Sequence, residues 1–135
     1  MKRNYTKTTV LLVIAIIFLG IYMYKEYVSP LYINNEQQKT TIDLSQESEL
    51  ILNKNKTQGD IFAIEIEILG ESTSNLTILS ENSDGQVIKE IKLKKGTIDF
   101  IYQNEWYTST CNLIFSSKEK MSGKLKINYR FFGLD

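Results

Sequence analysis

The chain has 135 residues with 16 basic and 16 acidic side chains, no histidine and a single cysteine, Cys111. An intrachain disulfide, a cysteine-rich zinc site and a histidine-based triad are thereby excluded. The balanced total conceals a division: residues 1–26 hold four basic groups and one acidic, leaving 12 basic and 15 acidic beyond, the wrong sign for a nucleic-acid-binding domain.

In chain order, the first element is the uncharged stretch Val10 to Tyr24, VLLVIAIIFLGIYMY, preceded by Lys2, Arg3 and Lys7 and closed by Lys25 and Glu26. With Thr8 and Thr9 it amounts to about 17 residues, or roughly 25 Å of helix, at the lower edge of what crosses a bilayer. Tyr22, Tyr24 and Tyr27 cluster at its C-terminal end, where amphipathic rings suit the headgroup layer. The basic tip predicts a cytoplasmic N-terminus and an extracytoplasmic remainder by the positive-inside rule. No pair of small residues at the −3 and −1 spacing follows the apolar core, which favours an uncleaved signal anchor over a cleaved signal. A buried helix of a soluble protein would need a domain large enough to surround it, and the remaining 100 or so residues suffice for only one small core. The organisation expected is a cytoplasmic tip and transmembrane anchor over 1–26, a linker over 27–39 interrupted at Pro30, and one folded domain over 40–135.

That domain reads as strands throughout. Thr41 to Leu44 and Glu49 to Asn53 are short candidates, and a polar loop then leads to Asp60–Leu69, in which Phe62, Ile64, Ile66 and Ile68 alternate with Glu65 and Glu67. A period of 2 is that of a half-buried strand, whereas on a helix these side chains would point all round. Asn75 to Ser80 follows, then Asn82-Ser83-Asp84-Gly85, whose Asp-Gly is a hairpin signal because glycine accepts positive φ. Gln86 to Leu93 returns. Thr97 to Tyr102 sets Ile98, Phe100 and Tyr102 against Thr97, Asp99 and Ile101, and Gln103-Asn104-Glu105 is expected as a tight connection. A long strand from Trp106 to Phe115 and a last one from Lys124 to Phe132, with Leu125, Ile127, Tyr129 and Phe131 on one face, complete about eight strands. Such spacing, with no helix signal beyond the anchor, predicts an all-β antiparallel sandwich or barrel.

Gly59-Asp60 opening a strand, Asp84-Gly85-Gln86-Val87 in a hairpin, Trp106-Tyr107 to Cys111 in a long strand and Gly123-Lys124-Leu125 before a final strand together resemble the compact jelly-roll sandwiches of the Golgi-dynamics (GOLD) domain class. The resemblance covers residues 57–132. This chain departs from that pattern in having Glu105-Trp106-Tyr107 where a glycine would stand, and in lacking a second cysteine and a coiled coil. The resemblance implies a protein- or ligand-binding module rather than an enzyme.

Few constellations carry chemistry. Glu65 and Glu67 share one strand face, which solubility alone explains, and Asp84 lacks the spacing of a calcium loop. Neither metal nor cofactor is expected. If Tyr107, Ser109, Cys111, Leu113 and Phe115 face the core, then Trp106, Thr108, Thr110 and Asn112 form an outward row, an aromatic with hydrogen-bonding neighbours, and are the candidate partner-binding residues. The competing reading makes Trp106 a cap on the core. Lysines 89, 92, 94, 95, 118, 120, 124 and 126 protect strand edges or meet an anionic partner. The function expected is a non-catalytic, membrane-anchored module that binds or assembles with an envelope protein, with carbohydrate or lipid headgroups as the alternative ligand.

Overall fold

The computed structural model describes residues 2–28 and 34–134. The chain separates into two compact units, 1–33 and 34–135. In the first, α1 (Lys2–Met23) continues into one π-helical turn over Tyr24–Val28. Its stretch Thr6–Val28 has a mean hydropathy of 2.0 and no buried side chain, so this one helix is long and apolar enough to cross a membrane. The break expected at Pro30 lies outside the described residues.

The second unit holds eight strands: β1 (Gln38–Asp43), β2 (Glu49–Asn53), β3 (Ile61–Ser72), β4 (Leu76–Glu81), β5 (Val87–Leu93), β6 (Gly96–Glu105), β7 (Thr110–Ser116) and β8 (Lys124–Gly133). All pairings are antiparallel, in two four-stranded sheets of order β1-β8-β3-β6 and β2-β7-β4-β5. The barrel alternative falls, because among the described residues no strand pairing joins the edges of one sheet to those of the other. The topology is a hairpin rolled up on itself: β4 pairs with β5 at the tip, then β3 with β6, β2 with β7 and β1 with β8 in nested order. This is the jelly roll, in which two sheets bury one apolar face each against the other.

The tip is the Asp-Gly turn. Asn82 Oδ1 accepts the N–H groups of Asp84 and Gln86, both at 3.0 Å, and Gly85 takes φ +76°, which an L side chain would resist. From there the alternation of each strand supplies the core. Ile64, Ile66 and Ile68 of β3, Leu76 and Ile78 of β4, Cys111, Leu113 and Phe115 of β7, and Leu125, Ile127 and Phe131 of β8 are buried. Gly70 and Gly123 let β3 and the entry to β8 approach closely: a Cβ on Gly70 would run into the Lys124 carbonyl, and its φ is +143°.

Three departures from the sequence expectation bear on the candidate site and its surroundings. Within the linker expected over 27–39, Tyr27 and Val28 belong to the π-helical turn, Asn34 exchanges backbone hydrogen bonds with Gly133 at 2.7 and 2.9 Å, and β1 begins at Gln38. The buried amide of Gln58 secures this corner by donating to the Asn34 carbonyl at 2.6 Å while accepting from Asn55 N at 3.0 Å. Second, a bulge between Ile61 and Ala63 turns Phe62 outward, so Ile61 is the buried residue and Phe62 packs on Phe132 with ring centroids 6.3 Å apart. Third, Gln103-Asn104-Glu105 is not a connection but the end of β6.

Candidate functional site

That third difference decides where the candidate residues lie. Even-numbered residues of β6 point inward, among them the buried Ile98 and Tyr102, and Trp106 extends the same alternation by one step. Its N–H still bonds the Phe62 carbonyl at 3.2 Å, so it is held by sheet pairing with β3 rather than by the strand that follows. Only 2% of Trp106 is exposed, and its indole Nε1 donates to Thr110 O at 3.1 Å. The outward Trp106 of the sequence reading is therefore corrected: the strand break falls at residues 107–109, between two strands of opposite parity, and Trp106 caps the core. Tyr107, expected inside, is 71% exposed for the same reason.

The other three candidates divide. Thr110 and Asn112 do lie on the outer face of β7: Thr110 Oγ1 is engaged with Ser83 Oγ at 2.7 Å and Asn112 Nδ2 with Glu49 Oε1, while Asn112 Oδ1 is buried without a hydrogen-bond partner. Thr108 belongs to the β6–β7 connection, accepts Ser83 N at 3.3 Å and donates to Thr110 O at 3.0 Å. These bonds tie the β4–β5 turn to the β6–β7 connection at one end of the sandwich.

Between the two lies a depression of about 260 Å³ lined by Asn82, Ile88, Asn104, Glu105, Trp106, Tyr107 and Thr108. It brings together two of the four candidates, Trp106 as buried wall and Thr108 as polar rim. The sequence reading missed the exposed members. Tyr107 O–H donates to Glu105 Oε2 at 3.0 Å, which holds the ring against the end of β6. The same hydrogen bond, followed by the Glu105 charge, raises the phenol pKa above its ordinary 10.0. Ile88 is exposed on the open edge strand β5, where the pairing with β4 shifts register, and Val87 beside it is exposed as well. The signal available in the sequence was the alternation running on from Tyr102 through Asn104 to Trp106, which forces Tyr107 to start a new segment.

A shallower depression of about 520 Å³ crosses the outer surface of the first sheet and includes Thr41, Asp43, Leu69, Lys124 and Lys126. It offers no exposed aromatic or large aliphatic group. Asp43 at its rim accepts both Ser45 Oγ at 2.6 Å and Ser45 N at 3.0 Å, and the side-chain bond is the main cause of a lowered carboxyl pKa. Cys111 lies in the core, and burial pushes its thiol from 9.0 up to about 12, far from a reactive thiolate. Among the described residues no group of three or more potential metal ligands comes together.

No protein-family model and no curated relative matches the sequence. Solved structures of similar architecture include an endospore-appendage protein of Bacillus from a family of disulfide-linked pili, 14% identical over 77% of this chain and 90% of that one, with a TM-score of 0.49. A family 29 carbohydrate-binding module is 11% identical over 74% and 77% with a TM-score of 0.42. The Yersinia pseudotuberculosis-derived mitogen is 16% identical over 76% and 86% with a TM-score of 0.39. These are distant likenesses of architecture, and the sandwich rests on the strand pairing described above.

Proposed function

We propose that this chain is a membrane-anchored, non-catalytic binding module whose sandwich lies outside the cytoplasm and docks to another envelope protein at the Tyr107 corner. The observation that carries this reading is Tyr107 itself: a 71% exposed aromatic, pinned by Glu105 and neighboured by the exposed Ile88. A fixed aromatic beside an aliphatic group loses little conformational freedom on binding and buries much apolar area, the chemistry of an interface anchor. The anchoring half of the proposal is supported by the apolar helix and by Lys2, Arg3 and Lys7 before it. A non-catalytic role is supported by the hydrogen bonding of the depression, where the Tyr107 hydroxyl is occupied by Glu105 and the Thr108 hydroxyl by Thr110 O.

A second reading, a carbohydrate ligand, is favoured by the polar lining: Asn82, Asn104, Glu105 and Thr108 surround the same ring, and sugars are held by stacking plus side-chain hydrogen bonds. Both readings are tested with Tyr107→Ala and Ile88→Lys in the full-length protein. Crosslinked purification from native membranes should yield one stoichiometric protein partner that both variants lose while their melting is unchanged. Absence of a partner in the parent, with binding of the parent to a carbohydrate array that Tyr107→Ala abolishes, would replace the first reading by the second. Absence of both would remove the site.

A further inference from the structure

Among the described residues the two sheets leave four edge strands without an outer neighbour, β1 and β6 in one and β2 and β5 in the other, and they are not alike. β2 has five residues, and β5 carries Lys89 and Lys92 and a register shift against β4. Short length, lysines and bulges are the devices that keep an edge from pairing with another chain. β6 has none of them. It runs ten residues, pairs with β3 over ten consecutive positions without a shift, contains no lysine, arginine or proline, and among the described residues no strand pairs with its other side. Its outward side chains are Thr97, Asp99, Ile101, Gln103 and Glu105, all exposed, with Ile101 at 59%.

The opposite edge of the same sheet, β1, is only six residues long and carries Lys39, devices that deter an uncharged edge but suit an acidic one, and it is unshifted over six pairs with β8. Around it the outer face is basic: Lys39 on β1, then Lys124 and Lys126 on β8, while Arg130 of β8 is paired with Glu65 of β3 at 3.1 Å. Asp43, the one acid of β1, is held by Ser45. The outer face of the first sheet therefore runs from basic at β1 to acidic at β6, where Asp99 and Glu105 are exposed, while Glu65 and Glu67 of the adjoining β3 are engaged by Arg130 and Asn128 of β8. Four strands alternate in direction, so β1 and β6 are antiparallel to one another. A second copy in the same orientation, moved sideways, presents its β1 antiparallel to the β6 of the first, and the ladder continues.

We propose that the β6 edge takes the β1 edge of a second copy of this chain, building a row of sandwiches through a heterologous contact. The charges select a register in which Lys39 of one copy stands opposite Asp99 of its neighbour. Antiparallel pairing then sets Thr41 opposite Thr97 and brings Asp43 level with Lys95, which lies one residue before β6; the Ser45 hydrogen bonds that hold Asp43 leave its charge in place. Main-chain hydrogen bonds supply the adhesion and the charge pairs the register. Because the same two edges reappear free at the ends of every assembly, the row is open unless its rotation closes it. This contact is separate from the Tyr107 corner.

The test is a charge exchange in the full-length protein in detergent, read by sedimentation, with melting as the control for folding. The parent is expected to give a concentration-dependent series of oligomers. Asp99→Lys and Lys39→Glu are each expected to weaken association by on the order of tenfold or more, and the double variant to restore it. Tyr107→Ala should leave the series unchanged. In membranes holding both Thr97→Cys and Thr41→Cys chains, oxidation is expected to join the two to each other. A parent that stays monomeric at all concentrations, oligomers indifferent to both reversals, single losses without rescue in the double variant, or capture of a different protein by Thr97→Cys would each overturn the proposal.

Discussion

Replacing Trp106 by alanine separates the two roles this residue has been given. An exposed anchor can be truncated with little effect on folding, whereas a core cap cannot. The side chain is 98% covered, and a tryptophan buries about 150–250 Å². At about 25 cal/mol per Å² the lost transfer free energy approaches 5 kcal/mol, and measured truncations of buried aromatics cost about 3–5 kcal/mol with the cavity included. The hydrogen bond from Nε1 to Thr110 O adds little to this, because the Thr108 hydroxyl also donates to that carbonyl and keeps it satisfied. A loss of about 4 kcal/mol is expected, a large fraction of the 5–15 kcal/mol that holds a domain of this size together. At about 4–8 °C per kcal/mol, the melting temperature should fall by about 15–30 °C. Far-ultraviolet circular dichroism is the assay, since Trp106 is the only tryptophan and its fluorescence disappears with it. Tyr107→Ala, an exposed neighbour, should stay within about 0.5 kcal/mol of the parent. Equal melting of Trp106→Ala and Tyr107→Ala would refute the placement of Trp106 at the end of β6.

Gly70→Ala should destabilise the sandwich by about 2–3 kcal/mol or more, because φ is +143° and the new methyl would meet the Lys124 carbonyl. Gly85→Ala, at φ +76° but in open space, should cost about 1–2 kcal/mol; denaturant unfolding that ranks the two the other way would contradict the close approach of β3 and β8. Cys111 should resist thiol reagents until the protein unfolds. Folding raises its pKa from 9.0 to about 12, so between those values the native chain keeps a proton that the unfolded chain releases. Stability linked to this thiol is complete below pH 9 and is lost as pH rises through that window. Cys111→Ala should remove that part of the alkaline loss, and an unchanged pH profile would show that the thiol is not its source.

Much of the fold was legible because period-2 alternation survives wherever one face of a sheet is buried. The β2 strand falls on the expected residues, and the inward sets of β3, β7 and β8 agree except at their ends. What alternation cannot carry is parity across a junction. The alternation of Cys111, Leu113 and Phe115, continued backwards, runs to Trp106 as one strand, whereas the residues 107–109 reset the parity between β6 and β7. The bulge at Phe62 misled in the same way, since one unpaired residue flips every side chain on its far side. The partition of eight strands into two sheets was also beyond local pattern, because it depends on the nested long-range pairings set by the hairpin tip. The Tyr107 corner is half visible in the sequence: the outward-row reading singles out Trp106 and Thr108, and the exposed aromatic, Tyr107, lies between them.

The central claim is that Tyr107 marks a docking surface for an envelope protein. It is tested most directly by a photo-crosslinking amino acid placed at position 107 of the full-length protein in its native membrane, with position 120, in the β7–β8 connection at the other end of the sandwich, as the comparison. The account predicts one discrete protein adduct from position 107 and none from position 120. Adducts of equal yield from both positions, or from neither, would contradict it.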